Sequence, residues 1–440
     1  MPFFFRSNFF RHLCCFLHHS APGQLVIQFT NHCNATCPQC GMRITNKIER
    51  KRIPVTDIKR IIDAAAQRNI QSLSFTGGEP LLFPDDLAEL IGYAKQAGIP
   101  MIRTGTNGFI FRNSDEKEFN SRLQRIAKKL YDSGLRNFWI SIDSANPTLH
   151  EKMRGLPGIM DGLKKGLRIF HDAGLFPTAN MGINRNMAGW LTAGINRQNY
   201  CSETDYLKIF FERFKKGFER FISSVIGMGF TMVSFCYPMS VDNEKATGLK
   251  PVYAATSTSQ IVTFDAMEKA QIFNALRLAT ESFRHQIRIF TPQCALYSLS
   301  RQYAEQVDHT YPCRGGRDYF FIGSNDALSY PCGYRGKDAL GNFEQGKRST
   351  VTDCRLCDWE CFRDPSELFG PIHQFLSEPL KLLQKLKRDR DFFKYWMSDI
   401  RYYLACDLFN GRRPLRRDKL RNPETLPVDP SVDNLCRHIF

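Results

Sequence analysis

Apolar and polar residues along the chain predict strands and helices in regular alternation. Short apolar runs rich in β-branched residues predict six strands, at residues 25–30, 72–77, 100–105, 137–143, 177–183 and 230–238. Apolar residues at helical spacing predict a helix after each strand, at residues 56–69, 84–98, 116–134, 158–174, 206–229 and 264–283. This order favours a parallel sheet whose crossovers are right-handed.

Six such units are too few for a closed eight-stranded barrel. We expect an α/β fold, either an open doubly wound sheet or a partial (β/α)6 TIM-like barrel, with its core over residues 25–289. From about residue 290 cysteines become frequent and helical periodicity fades until about residue 372. The pattern therefore predicts an extension at 1–24, a small cysteine-rich α+β module at 290–366 and a helical tail at 367–440.

The charge balance favours acidic partners. The formal net charge is +16, which suits phosphate-bearing ligands, nucleic acid or an anionic membrane surface without choosing among them. Residues 381–421 hold 13 Lys or Arg and 5 Asp or Glu, interleaved with aromatic and apolar residues. This segment predicts basic amphipathic helices that either pack on the core or contact an anionic membrane.

The aromatic-rich residues 1–19 resemble neither a signal peptide nor a membrane span. Arg6, Asn8, Arg11 and His12 interrupt the apolar run, whereas a signal peptide needs about 7–15 unbroken apolar residues and a span about 20. A surface-lying membrane anchor and a helix docked on the core are both expectations for this segment. The 15 cysteines, odd in number and clustered, favour reduced metal ligands and hence a cytoplasmic location. The aromatic start and the basic tail leave peripheral membrane contact through the two termini as an alternative expectation.

Three cysteines follow the first predicted strand directly. Cys33, Cys37 and Cys40 have C-x3-C-x2-C spacing. Structural zinc takes four ligands, whereas a four-iron cluster held by three cysteines leaves one iron open for a small molecule. The loop by itself leaves zinc and an iron–sulfur cluster as alternatives.

A second motif, TGGEP, ends the second predicted strand. Paired glycines allow a backbone to approach a ligand closely, and a glutamate can accept a hydrogen bond from an ammonium group. Together, the cysteine loop and TGGEP resemble the motifs of the radical S-adenosylmethionine (SAM) superfamily. The resemblance implies a [4Fe–4S] cluster on Cys33, Cys37 and Cys40 whose open iron binds SAM. It also implies that the methionine ammonium is held by Gly77, Gly78, Glu79 and Pro80.

Polar residues after the later strands match further SAM contacts of that superfamily. The resemblance implies that Arg154 binds the SAM carboxylate and that the ribose and its surroundings contact Asn107, Ser141 or Asp143, and Asn180. One position departs from the pattern, because Gln39 stands where the superfamily usually has an aromatic residue near the adenine. Cys236, after the sixth strand, is expected to be an ordinary buried cysteine.

The cysteines of the C-terminal module form a third motif. A hairpin-like segment has a cysteine at each end, and a C-x2-C-x3-C loop follows it. Zinc ribbons use similar spacings. The arrangement also resembles the SPASM and twitch modules of radical SAM enzymes, which implies an auxiliary [4Fe–4S] cluster on four of the five cysteines. The twitch pattern favours Cys313, Cys332, Cys354 and Cys357, with Cys361 as a substitute and Cys294 as a more distant one.

The resemblance implies an oxidoreductase or transferase that acts on an unactivated C–H bond after SAM cleavage. We expect an external low-potential electron donor and a peptide, sugar, cofactor or lipid as the unidentified substrate. The auxiliary cluster would transfer electrons or bind the substrate. The competing expectation is a non-catalytic zinc or iron–sulfur protein that binds nucleic acid or an anionic membrane. TGGEP and the strand–helix series count against nucleic acid.

Overall fold

A computed structural model describes residues 22–40, 49–238, 249–252, 259–305 and 309–423. The anchor predicted within residues 1–19 lies outside these ranges. In the described ranges, none of the helices has the length and apolar character that crossing a bilayer requires.

The described strands form one sheet in the order β7-β6-β5-β4-β3-β2-β1-β8-β9. Every neighbouring pair is parallel except β8 and β9. The sheet is a partial barrel. Its first six strands in chain order, β1 to β6, confirm the six predicted strands. The strands are Gly23–Thr30 (β1), Ile70–Gly77 (β2), Met101–Thr106 (β3), Asn137–Ser141 (β4), Thr178–Gly182 (β5), Met232–Cys236 (β6), Arg288–Ile289 (β7), Tyr319–Ile322 (β8) and Ser329–Tyr330 (β9).

Each of the six predicted helices is also present. The helices are Val55–Gln67 (α1), Pro84–Gln96 (α2), Phe119–Ser133 (α3), Pro147–Arg154 (α4), Ile159–Asp172 (α5), Trp190–Ala193 (α6), Glu203–Met228 (α7), Ala266–Phe283 (α8), Gln293–Glu305 (α9), Glu360–Ser377 (α10), Pro379–Arg388 (α11), Arg390–Ala405 (α12) and Arg417–Arg421 (α13).

Helices α9 and most of α10 fall between residues 290 and 372, where the sequence shows little helical periodicity. The first turn of α9 is capped from a distance: the Asp399 carboxylate accepts hydrogen bonds from the backbone N–H groups of Gln293 and Cys294 at 3.0 and 2.8 Å. A cap from such a distant residue cannot be predicted from the sequence next to the helix. Helix α10 contains Pro365 and Pro371, residues that normally argue against a helix.

The two faces of the sheet differ in burial. On β5, Ala179 and Met181 are fully buried on the outer side, whereas Asn180 is half-buried. On β6, Phe235 packs outward against α7, whereas Cys236 is half-buried. The alternation indicates an inner lumen that polar side chains line and that retains some access to solvent.

The C-terminal segments complete this barrel. Strand β8 pairs directly with β1, with Leu25 opposite Phe320. Helix α12 closes the end of the barrel where the strands begin, and its Tyr402 hydroxyl donates to the carbonyl of Ile287 at 2.8 Å. The sequence left two alternatives for residues 381–421, packing on the core and contact with an anionic membrane. Within this segment, α12 packs on the core.

Candidate functional site

The cysteine loop leaves β1 and is held against the end of α4. The Thr36 amide donates to the carbonyl of Arg154 at 2.8 Å, and the Cys40 amide donates to that of Cys37 at 3.1 Å. The side-chain amide of Asn31 donates to the Glu49 carbonyl at 3.0 Å, which fixes the point where the chain returns to the barrel. The loop therefore lies at the carboxyl edge of the sheet, where ligands of such folds gather.

The paired glycines of TGGEP let two segments touch. The Glu79 amide donates to the His32 carbonyl at 2.7 Å, and the Gly78 amide donates to the Thr30 carbonyl at 2.8 Å. A Cβ on Gly78 would lie 1.9 Å from the carbonyl oxygen of His32. The sequence needs glycine here because the cysteine loop passes too close for a side chain.

We expect Gly78→Ala to displace the cysteine loop from Glu79, and so to remove most of the iron and all of the SAM cleavage that the sequence resemblance implies for this loop. The physical reason is the backbone clash, which flexible side chains cannot relieve. Gly92→Ala is the matched control, because nothing lies within 4 Å of a Cβ at that helical glycine. Iron content and 5′-deoxyadenosine yield measure both variants, and normal values in Gly78→Ala would contradict the close approach.

Glu79 is buried with both carboxylate oxygens engaged. Oε1 accepts from the Leu81 amide at 3.0 Å and Oε2 accepts from the Asn107 amide. Burial raises the pKa of Glu79 to about 7, although these backbone donors oppose the shift. Asn107 also reaches the cysteine loop, since its side-chain amide donates to the Asn34 side chain at 2.8 Å and lies 3.6 Å from the Cys33 sulfur.

Arg154 and Asp143 form a buried ion pair beside the loop. Arg154 Nη2 donates to Asp143 Oδ1 at 2.9 Å, while Arg154 Nε is buried without a partner among the described residues. The second Asp143 oxygen accepts from the side-chain amide of Gln39 at 2.9 Å. Gln39, the departure from the superfamily pattern, thus joins the cysteine loop to this ion pair.

Burial favours the protonated form of two thiols of the loop, those of Cys33 and Cys37. Burial raises the pKa of Cys37 to about 12, and the Arg154 guanidinium opposes that shift. Burial also raises the pKa of Cys33. A metal that binds here has to displace these protons, and nearby Arg154 offsets the negative charge that results.

Sequence reasoning missed two residues that hold Asp143. The Asp143 amide donates to Nδ1 of His150 at 3.0 Å, and the Asn184 side chain donates to the Asp143 carbonyl at 2.9 Å. Burial lowers the pKa of His150 to about 4, which keeps this imidazole neutral and able to accept. No sequence motif marks these contacts, because they join the ends of β4 and β5 and a residue of helix α4.

Ser141 and Asn180 lie on the inner face as strand neighbours. The Asn180 side-chain oxygen accepts from Ser234 Oγ at 2.7 Å, and its nitrogen lies 3.4 Å from the Cys236 sulfur. The expectation for Cys236 needs correction, since its half-buried thiol faces the lumen instead of packing among apolar side chains.

Four cysteines of the C-terminal module line one small cavity: Cys313, Cys332, Cys354 and Cys357. Its wall also includes Leu249, Gly315, Pro331, Arg335, Trp359, Phe362 and Arg363. The backbones of Cys313 and Cys354 form an antiparallel bridge, which brings the hairpin-like segment and the following loop together. Burial raises the pKa of Cys357 to about 12, and the Arg363 guanidinium opposes that shift.

The two substitute cysteines do not line this cavity. Cys361 lies in the first turn of α10, with its sulfur 3.5 Å from Oε1 of Glu360. Cys294 is fully buried in α9, in a cluster with Tyr311 and Phe392. Among the described side chains, no three of His, Cys, Asp or Glu are gathered closely enough to hold a single metal ion.

The donor sets nevertheless fit iron–sulfur clusters. The first set comes from one short loop, and the second is gathered from a hairpin-like segment and the loop that follows it. Each set lies next to a buried arginine and is partly screened from solvent. Thiolates are the usual protein ligands of such clusters, and a neighbouring cation offsets their charge.

The amino-acid sequence is similar to one protein family and to several known proteins. A model of the radical SAM superfamily matches residues 27–186. An AdoMet-dependent heme synthase of Methanosarcina barkeri (strain Fusaro / DSM 804) is 24% identical over 353 residues, which cover 80% of this chain and 87% of that protein. A probable GTP 3',8-cyclase of Methanococcus aeolicus is 30% identical over 189 residues, or 42% of this chain, and the match spans only 57% of the cyclase.

Two solved structures are similar at lower sequence identity. Streptococcus suis SuiB bound to S-adenosylmethionine is 17% identical with a TM-score of 0.46, covering 81% of this chain and 71% of that one. Native anSMEcpe with bound AdoMet is 12% identical with a TM-score of 0.44, covering 82% of this chain and 98% of that one.

Proposed function

This chain belongs to the radical SAM superfamily, and we propose that Cys33, Cys37 and Cys40 hold the [4Fe–4S] cluster of its SAM-cleaving site. The observation that carries the proposal is the contact of the cysteine loop with both TGGEP and the end of α4. When bound and reduced, the cluster supplies the electron that splits SAM into methionine and a 5′-deoxyadenosyl radical.

The residues around the loop offer complementary groups for SAM. Glu79 accepts the methionine ammonium, whose positive charge offsets the cost of a buried carboxylate. The unpartnered Nε of Arg154 donates to the SAM carboxylate, while Nη2 remains paired with Asp143. Ser141 and Asn180, on adjacent strands, face the ribose from the inner wall.

The lumen supplies the chamber in which an unactivated C–H bond of the substrate meets the radical. Apolar packing on the outer face and α12 at one end exclude bulk water, which protects a reactive intermediate. The chain accordingly acts as an oxidoreductase or transferase and draws electrons from an external low-potential donor.

An auxiliary [4Fe–4S] cluster occupies the cavity of Cys313, Cys332, Cys354 and Cys357 in this proposal. Four thiols would ligate all four irons and leave none open for a substrate. This favours electron transfer over substrate binding as its role. Arg363, whose pKa rises through its proximity to these thiols despite burial, offsets the charge of the thiolates.

Metal analysis after anaerobic reconstitution tests both clusters. We expect about eight irons per chain in the native protein and about four in Cys332→Ala, given four per cluster. Cys361→Ala is the matched control and retains about eight, because that thiol lies outside the cavity. Tightly bound zinc without iron would instead support the competing zinc-protein reading, and unchanged iron in Cys332→Ala would remove the auxiliary cluster.

Helix α11 favours a second, additional property, contact with an anionic membrane surface. Leu380 and Leu383 are 74% and 50% exposed. Lys381, Lys387 and Arg388 lie exposed on the same helix. Exposed leucines among cations are typical of helices that lie in the headgroup region of anionic bilayers.

We expect Leu380→Glu/Leu383→Glu to weaken binding to vesicles of phosphatidylcholine and phosphatidylserine at least about tenfold, because apolar insertion is lost and negative charge is added. Co-sedimentation at low and high salt measures the effect. Trp190→Glu serves as the control, since Trp190 is 76% exposed on α6. Equal binding by the double variant and native protein would exclude α11 as the contact.

A further inference from the structure

Arg103 occupies the inner face of β3 between two aromatic rings. Its guanidinium carbon lies 4.8 Å from the ring centre of Phe290 and 5.7 Å from that of Trp139. Trp139 can cross the strand because Gly105 has no side chain; a Cβ there would lie 2.0 Å from the indole Nε1. The two rings hold a half-buried cation at the lumen wall.

This guanidinium lacks the partners that buried arginines normally have. Its Nε is buried with no hydrogen-bond acceptor among the described residues. Glu360 affects Arg103 through its charge but forms no ion pair with it within the described ranges. A guanidinium carries five donors, and leaving them unpaired inside a protein costs free energy.

The wall facing Arg103 is polar but does not neutralise it. Cys236, Cys361, Glu360 and Tyr403 lie close enough to interact electrostatically with Arg103. Oε2 of Glu360 is also buried without a partner in the described part of the chain. Unpaired polar atoms on both Arg103 and Glu360, in a lumen lined by polar side chains, indicate a binding site whose ligand supplies the missing partners.

We propose that Arg103 anchors a carboxylate of the substrate, which makes the substrate a carboxylate-bearing molecule with an apolar body. The inference rests on the proposed function because it assumes that the substrate reacts in the lumen. The planar fork of the guanidinium matches a carboxylate in bidentate geometry. Trp139 and Phe290 offer apolar surface next to it for the body of the molecule.

The surroundings favour a carboxylate over a phosphate. The carboxyl group of Glu360 lies near Arg103, and burial raises the pKa of Glu360, which favours its neutral form. A single negative charge is balanced by one guanidinium, whereas a phosphate dianion would leave excess charge in a site of low polarity.

The carboxylate of SAM is an unsuitable partner. Arg103 lies in β3, four positions before Asn107, which directly follows the strand and reaches Cys33. At about 3.3 Å per residue this separation is roughly 13 Å. Arg103 therefore lies deeper in the barrel than the edge at which the cysteine loop meets TGGEP.

Binding of simple probes to the reconstituted full-length protein tests the anchor. The probes are 4-fluorobenzoate, its neutral isostere 4-fluorobenzamide, and phenyl phosphate, each titrated calorimetrically with and without SAM. We expect the benzoate to bind at least about tenfold more tightly than the benzamide, as one charge-assisted bidentate pair allows. Arg103→Gln should remove that preference, and Arg103→Lys should keep part of it.

Arg412→Gln is the matched control, because Arg412 also stacks on an aromatic ring, 3.8 Å from the centre of Tyr131. It should leave benzoate binding unchanged, and Arg103→Gln should leave SAM affinity unchanged. Undetectable benzoate binding, no preference over the benzamide, or full binding by Arg103→Gln would each overturn the anchor. Tighter binding of phenyl phosphate, or weaker SAM binding in Arg103→Gln, would reassign Arg103 to a phosphate or to SAM.

The same preparations separate this inference from the proposed function. Native protein that cleaves SAM but fails the benzoate test rejects the carboxylate anchor alone. Protein that binds benzoate through Arg103 but contains no iron–sulfur cluster rejects the proposed function alone.

Discussion

Cys37→Ala is expected to abolish SAM cleavage and to lower the iron content by about four atoms per chain, because one missing thiolate leaves two iron positions of the SAM cluster exposed. Cys37 lies at the centre of the loop, within the electrostatic reach of Cys33, Cys40 and Arg154. No other described residue of the loop offers a substitute thiol. Iron analysis and detection of 5′-deoxyadenosine with dithionite measure the effect.

Cys201→Ala is the control for this prediction, since Cys201 is an exposed thiol remote from the loop. It should retain native iron content and SAM cleavage. A Cys37→Ala protein with a full complement of iron and undiminished cleavage would show that the loop does not hold the SAM cluster.

Arg154→Met is expected to lower the free energy of unfolding by about 3–5 kcal/mol, the usual cost of leaving a buried charge without its partner. The side chains of Arg154 and Asp143 are only 9% and 3% exposed, so water cannot replace the lost contact. Gln39 donates to the other Asp143 oxygen but brings no charge. Urea denaturation of the apoprotein measures the change in its unfolding midpoint.

The double variant Asp143→Asn/Arg154→Met should be more stable than Arg154→Met alone, because it removes the stranded charge. Lys128→Met provides the control: Lys128 pairs with Asp132 on the surface of α3, where solvent screens the charges, so little change is expected. If the double variant were less stable than both Arg154→Met and Lys128→Met, an unpaired Asp143 would not explain the lower free energy of unfolding in Arg154→Met.

The sequence was most informative about elements whose pattern is local. The strands β1 to β6 and their helices have clear periods of two and 3.6 residues, and the structure has all of them. Helix α9 was missed because its cap comes from Asp399, over a hundred positions away. Pairing of β8 with β1 was missed for the same reason, since no local pattern encodes a distant neighbour.

The residues of the candidate site also differ in whether they could be predicted from local sequence. The motif residues Cys33, Gly78 and Glu79 could be predicted from the resemblance to superfamily motifs. The roles of His150 and Asn184 depend on tertiary contacts with Asp143. The spacing of the five cysteines in the C-terminal module also did not determine which four of them would be the ligands of an auxiliary cluster. Cys361 lies in the first turn of α10, where its thiol is outside the cavity of the other four and interacts electrostatically with Arg103.

Direct pairing of β8 with β1 has a consequence for how the protein is made. The strand that presents the cysteine loop gains its second neighbour only from residues roughly 300 positions later in the chain. Contacts of such high sequence separation form slowly, and they cannot form on the ribosome until the C-terminal module has emerged. The nascent barrel therefore has an unpaired edge at β1, and we expect iron–sulfur insertion into the loop to follow release of the full chain.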